Sequence, residues 1–227
     1  MKNLIYLTLT VLLFATLGCE MEDPEADTRI IVDPVWPTLT EVDTIVSGSY
    51  LGFEINKDAA AIYKASQSLR ETKGIMHLNV VGNIFSDVRQ LSDRVPLYSY
   101  MLFDQQQGTE TGVQITLEDG KVKSLFLNNG KQMRQWPEKS KTAVKVGDPA
   151  DGLYEKLADV SRQKSYSNKF ERISLLTKDL NTAFDPGMMR SPQWYFRYRT
   201  SSTTSEHVDL HLKDGKLSYI VLMRYHD

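Results

Sequence analysis

Apolar and polar positions alternate most clearly from Gly112 to Leu127, GVQITLEDGKVKSLFL, and the pattern returns ninety-five residues later as HVDLHLKDGKLSYIVL, His207 to Leu222. Six of the sixteen positions are identical. In both copies an Asp-Gly pair, Asp119-Gly120 and Asp214-Gly215, separates two alternating runs. That is a strong signature of a two-residue hairpin, because the turn needs positive φ at both central residues. The pattern then predicts the register. Leu117 faces Val122, Ile115 faces Ser124 and Val113 faces Phe126 on one side, with Glu118 against Lys121 on the other. The second copy gives Leu212/Leu217, Leu210/Tyr219 and Val208/Val221.

Upstream of each hairpin the period changes. Val42 to Phe53 is β-branched and aromatic but interrupted by Gly48 and Gly52, which predicts a broken strand. Ala59, Ile62, Tyr63, Ser66 and Leu69 then fall on one helical stripe, with Asn56 as N-cap and Gly74 as the stop. The second copy has Asp148 as N-cap, Pro149 at the first helical position, and Leu153, Tyr154, Leu157 and Val160 on one face, so that Tyr154 corresponds to Tyr63. Gly152 weakens this helix by roughly 1 kcal/mol relative to Ala.

Each helix is followed by a short apolar segment, Met76 to Phe85 and Ile173 to Leu176, then a loop carrying Pro96 or Pro192, then an aromatic strand. Matching Tyr98, Tyr100 and Leu102 with Trp194, Phe196 and Tyr198 makes these the core face. Leu97, Ser99 and Met101 in one copy and Gln193, Tyr195 and Arg197 in the other then lie on the open face. The expected fold class is α+β, two tandem repeats, each a helix packed on an approximately four-stranded antiparallel sheet. The repeats span 41–128 and 143–227, and 129–142 is a polar linker anchored by Trp136. Trp36 precedes the first repeat in the same way, and both indoles are expected to fill gaps at the junctions.

A chain of 227 residues with 41% apolar and 10% aromatic content has enough material for one large or two small cores. Its formal charge is −2, and without Lys2 it is −3, 26 basic against 29 acidic residues, which gives no electrostatic reason to expect nucleic acid as a partner. A single cysteine excludes an internal disulfide framework. Lys2, the apolar run Leu4 to Leu17 and Thr16-Leu17-Gly18-Cys19 resemble a bacterial lipoprotein signal. The resemblance implies a signal peptide over 1–18, cleavage before Cys19, acylation of Cys19, and a membrane as partner through that lipid. Glu20-Met21-Glu22-Asp23 is similar to the export signal of surface lipoproteins in Bacteroidota-type bacteria. It implies an outer-membrane lipoprotein at the cell surface, with the periplasmic leaflet as the alternative. Residues 19–40, with Pro24, Pro34 and Pro37 among acids, form an extended tether, within which Ile30-Ile31-Val32 and Val35-Trp36 are apolar enough to dock as an edge strand.

The element order over 41–227 resembles the β-lactamase inhibitor protein fold, which implies that the two sheets join into one concave surface. NVVGNIF (79–85), GVQITLEDGKVKS, KFERISL (169–175) and SPQWYFRYR (191–199) also resemble an uncharacterised family of Bacteroidota lipoproteins, which implies no activity.

The chain carries no Gly-x-Ser-x-Gly, Gly-x-x-x-x-Gly-Lys-Ser/Thr or His-Glu-x-x-His pattern, so the expectation is a non-enzyme without cofactor. Of the four histidines only His207-x-Asp209-x-His211 forms a pattern. On a strand its adjacent members stand about 7 Å apart and the outer pair about 13 Å, so at most two share an ion, and a solvated polar face without metal is expected. The remaining candidate is the open face, where Tyr195, Arg197 and Arg199 lie near Asp209 and His211, with Leu97 and Met101 contributed by the first repeat. Aromatic and arginine side chains suit protein or glycan contact. The expected function is a lipid-anchored envelope binding module recognising a protein or envelope polymer; the alternatives are a glycan-binding accessory lipoprotein and an enzyme of unrecognised type.

Overall fold

The computed structural model describes residues 36–226. The N-terminal half contains β1 (Thr38–Ile45), β2 (Ser49–Tyr50), β3 (Phe53–Glu54), α1 (Ala59–Lys73), β4 (His77–Val81), β5 (Ile84–Phe85), β6 (Tyr98–Asp104), β7 (Val113–Glu118) and β8 (Lys121–Leu127). The remainder contains β9 (Gln132–Met133), β10 (Gln135–Trp136), β11 (Val144–Lys145), α2 (Leu153–Ser161), β12 (Arg172–Asp179), β13 (Gln193–Arg199), β14 (Thr204–Lys213) and β15 (Lys216–His226). The signal peptide, Cys19 and most of the tether lie outside the described residues.

Both predicted hairpin turns form. Asp119 and Gly120 have φ of 51° and 70°, and Asp214 and Gly215 have 50° and 72°. The first pair beyond each turn is as predicted, Leu117 with Val122 and Leu212 with Leu217. Past that pair each hairpin carries a bulge at the same place, so Ile115 faces Leu125 and Leu210 faces Ile220 instead of Ser124 and Tyr219. The extra residue on the return strand turns an apolar side chain inward where strict alternation would have buried a hydroxyl. Leu125 and Ile220 are fully buried.

The two helices form on the predicted stripes. In α1 the buried residues are Ala59, Ile62, Tyr63, Ser66 and Leu69, and Gly74 closes the helix in the left-handed conformation. Its N-cap is Asp58, which accepts from the Ala61 amide, whereas Asn56 lies two residues upstream with φ of 71°. Helix α2 is entered through a 3-10 turn, Ala150–Gly152, and buries Leu153, Leu157, Ala158 and Val160, while Tyr154 stays half-buried.

The expected fold class, two tandem repeats each with a helix packed on its own sheet of about four antiparallel strands, is overturned. One antiparallel sheet of eleven strands runs β1-β15-β14-β13-β4-β12-β6-β7-β8-β9, with β5 paired to β12. The long strand that follows each helix pairs with the other half of the chain: β4 pairs with β13, and β12 pairs with β6. The exchange is symmetric, since Val80 faces Trp194 as Leu175 faces Met101. The helix entries cross as well. The segment before α1 bonds to the second hairpin through Asn56 N to Leu217 O (2.8 Å), Ala59 N to Gly215 O (2.8 Å) and Leu217 N to Lys57 O (2.9 Å). The segment before α2 makes the equivalent bonds to the first hairpin, Gly147 N to Val122 O, Ala150 N to Gly120 O and Val122 N to Asp148 O, each 2.8 Å. The two halves of the chain thus share one sheet, and among the described residues nearly all the buried apolar side chains, Ala143 and Ala158 apart, pack in one core.

Residues 129–142 include β9, which extends the sheet edge at β8, and Trp136, which is buried against Tyr166 and Phe170 at ring distances of 5.9 and 6.0 Å. Trp36 is exposed.

Candidate binding face

Residues directly opposite in a sheet share a face, so the registers trace that face strand by strand. One row runs Ser124, Thr116, Tyr100, Thr177, Asn79, Tyr195, Asp209, Val221 and Thr44, crossing β8, β7, β6, β12, β4, β13, β14, β15 and β1. The core side chains, among them Met101, Trp194, Val208, Leu210 and Ile220, project from the other side. Along the central strands Tyr100, Leu102, Tyr195, His207, His211 and Tyr219 of this outer face stay half-buried and Arg197 is exposed.

The second half of this face is an aromatic and cationic field built by cross-strand neighbours. Tyr195 stacks on His207 with centroids 5.1 Å apart, and His211 stacks on Tyr219 at 4.2 Å and 9°. Arg197 lies over the Tyr225 ring at 5.0 Å and donates to Ser205 Oγ, and His207 Nε2 lies 2.8 Å from Asp209 Oδ1. Five of the seven expected face residues, Tyr195, Arg197, Arg199, Asp209 and His211, therefore lie together, although Asp209 is itself largely buried.

Leu97 and Met101 do not join them. Met101 is fully buried in the core, and Leu97 ends a 3-10 turn, packed against the core, with its carbonyl accepting from Thr182 Oγ1. The physical reason is the true match between the aromatic strands: Met101 faces Ile115 as Trp194 faces Leu210, so Met101 is the equivalent of Trp194. Matching Tyr98 to Trp194 displaced the alignment by three residues, an odd number, and exchanged the faces. Tyr100 accordingly belongs to the open face, and with Asn79, His77 and Thr177 it is the part that sequence reasoning missed. Tyr98 is nonetheless interior, because β6 carries an extra residue, Ser99, between its pairs with Thr177 and Lys178, and Lys178 becomes its partner.

Three buried polar clusters lie elsewhere. Lys178, fully buried, donates to the Asp179 carbonyl (3.1 Å) and to Thr182 Oγ1, with the Tyr63 and Tyr98 rings at 5.0 and 5.7 Å. Burial lowers its pKa to about 8 against the opposing pull of Asp179 and Asp185. Tyr98 donates to Asp185 (2.7 Å), and burial together with that carboxylate pushes the phenol far up. Glu206 is buried beneath Tyr50, Tyr198 and Arg224; burial works to raise its pKa, yet hydrogen bonds from all three outweigh it and the net shift is downward. Asp104 behaves alike: burial is outweighed by bonds from Thr109 and the Gln105 amide and by Lys169. These clusters tie loops and edge strands to the core. Among the described residues no group of three or more His, Cys, Asp or Glu side chains is placed to hold a metal ion.

Comparisons with protein-family models, with curated proteins and with solved structures found no match.

Proposed function

We propose that this chain is a lipid-anchored, non-enzymatic binding module of the bacterial envelope that takes a protein partner on the open face of its sheet. The observation that carries this is the continuous outer face, nine strands wide, on which tyrosine, histidine and arginine side chains stand side by side. Aromatic and arginine residues are those that protein interfaces concentrate at their centres. Their arrangement favours a protein over a glycan. Tyr195, Tyr219 and Tyr225 each have a ring face covered by His207, His211 or Arg197, and stacked cross-strand neighbours present edges to solvent where a sugar needs an open ring face. The anchor rests on the signal that ends at Cys19. No helix of the described residues is long and apolar enough to cross a membrane.

The test is a double substitution, Tyr195→Ala with Arg197→Ala. Neither side chain belongs to the core, so the melting temperature should stay within a few degrees of wild type. Capture of the wild-type domain's partner from envelope extract should be lost. A folded double variant that retains the same partner at unchanged affinity removes this face. In the same cells Cys19→Ala should move the protein from the membrane to the soluble fraction, and a variant that still needs detergent contradicts the anchor.

A further inference from the structure

At the centre of the open face, where the exchanged strands β4 and β12 meet, the surface sinks into a depression of about 330 Å³ lined by Asn79, Tyr100, Arg172, Ser174, Thr177 and Tyr195. Ile84 and Leu176 form an apolar wall beside them. The balance of polar groups is one-sided. Asn79 Oδ1 accepts from Thr177 Oγ1 (3.0 Å), which leaves the Asn79 amide hydrogens without a partner among the described residues. The hydroxyls of Tyr100 and Tyr195 have no hydrogen-bond partner among those residues either. Arg172 makes no side-chain hydrogen bond or ion pair there, whereas Arg89, Arg94, Arg162 and Arg224 each lie against a carboxylate. Among the described residues no Asp or Glu lines the depression.

A guanidinium, two phenols and an amide around a hollow without an acid supply donors and positive charge, and lack the matching acceptor. The half-buried Tyr100 hydroxyl is a neutral donor over a wide pH range, since burial raises its pKa. The missing acceptor is a carboxylate, and the Ile84 and Leu176 wall calls for apolar groups next to it. We propose that this depression seats an aspartate or glutamate side chain carried on an apolar loop of the protein partner. The proposal rests on the open-face reading and makes it specific: the acid enters the hollow, hydrogen-bonds to Arg172, Tyr100 and Tyr195, and the flanking apolar residues cover Ile84 and Leu176.

The experiment pans a displayed library of cyclised heptapeptides against the full chain and titrates a selected peptide by calorimetry. Selected sequences should share one Asp or Glu among apolar residues. Replacing that acid by its amide, or Arg172→Gln in the protein, should each weaken binding by about tenfold, the scale of a charge-assisted hydrogen bond. Made together, the two changes should cost little more than one alone, because they remove the same contact. Arg172 is exposed, and its variant should melt with wild type; if it does not, Tyr100→Phe removes one donor with the ring kept and should weaken the peptide in its place. Failure to recover any binder, acid-free peptides, or binding indifferent to both substitutions overturns the proposal. Displacement of the peptide by D-glucuronate at lower concentration than by N-acetylglutamate amide overturns it in favour of an acidic sugar. Peptides that ignore Arg172→Gln but are lost on His211→Ala or Tyr219→Ala leave the open face standing and empty only the depression; peptides indifferent to every substitution on the face remove both.

Discussion

Lys178 shows how a single residue can be invisible in a pattern and decisive in a fold. It occupies a position on β12 that the alternation from Ile173 to Leu176 would leave outside, and the bulge there turns it inward between Tyr63 and Tyr98. Nothing in the sequence marks this lysine as buried: its hydrogen-bond partners, the Asp179 carbonyl and Thr182, sit in an ordinary polar segment one and four residues on, and the Tyr63 and Tyr98 rings that cover it come from far upstream. The consequence is a pH signature. The pKa of Lys178 falls from 10.5 unfolded to about 8 folded, so below pH 8 it is charged in both states. Between about 8 and 10.5 the unfolded chain holds a proton that the native one has released, and stability rises with pH by up to roughly 3 kcal/mol. The tyrosines act with opposite sign: Tyr63, raised to about 12 by burial, and Tyr98 and Tyr198, also raised, lose their contribution as pH climbs above 10. Denaturant midpoints should therefore climb from pH 8 to near 10 and then fall. In Lys178→Met the climb should vanish while the alkaline fall remains; a climb that survives the substitution assigns it to another group.

At the scale of elements, the sequence was legible wherever an apolar stripe and a local stop signal coincided. The stripe of α1, the Gly74 cap and both Asp-Gly turns are where the pattern put them, because each is decided by residues within a few positions of one another. The bulges were missed although their signal was present: Val122 to Leu125 and Leu217 to Ile220 are spaced by three before the alternation resumes, and strict pairing by twos ran past it. The open face was half legible for a related reason. Tyr195, Arg197 and Arg199 follow from the Trp194/Phe196/Tyr198 alternation alone, whereas Tyr100 depended on an alignment between repeats that was off by three. Equivalent hairpins should respond equivalently. Leu117 and Leu212 are equally buried beside their turns, so Leu117→Ala and Leu212→Ala should each cost roughly 2 to 5 kcal/mol. Because both leucines belong to one core, each variant should unfold in a single transition shared by fluorescence and circular dichroism. Two transitions, or one midpoint unmoved while the other collapses, would separate the halves energetically.

The whole molecule is where sequence reasoning ran out, and symmetry is the reason. When two repeats are alike, a strand that pairs with its own copy and a strand that pairs with the other copy satisfy nearly the same local contacts, so no pattern within a repeat distinguishes the two arrangements. The choice shows only in the long-range registers: β4 beside Trp194, β12 beside Met101, and each helix entry bonded to the other repeat's Asp-Gly turn. The exchange sets the centre of the binding face, because Asn79 and Thr177 meet there only through it. It also dictates how the chain behaves when cut. Residues 37–128 alone would keep β6, β7 and β8 without β12 and α2 to complete and cover them, and 143–227 would keep β13, β14 and β15 without β4 and α1. Each fragment would expose the apolar faces of its three-stranded remnant, Met101, Phe103 and Ile115 in one and Trp194, Phe196 and Leu210 in the other, all buried in the intact chain. Expressed separately, the fragments should show little dispersion in their amide NMR spectra. Mixed, together with 129–142 left on either one, they should recover the dispersed spectrum of the intact protein, since all the strands and both helices are then present. Two fragments that fold alone as monomers, with cooperative melting of their own, would show that a repeat can satisfy itself and that the exchange is not required for folding.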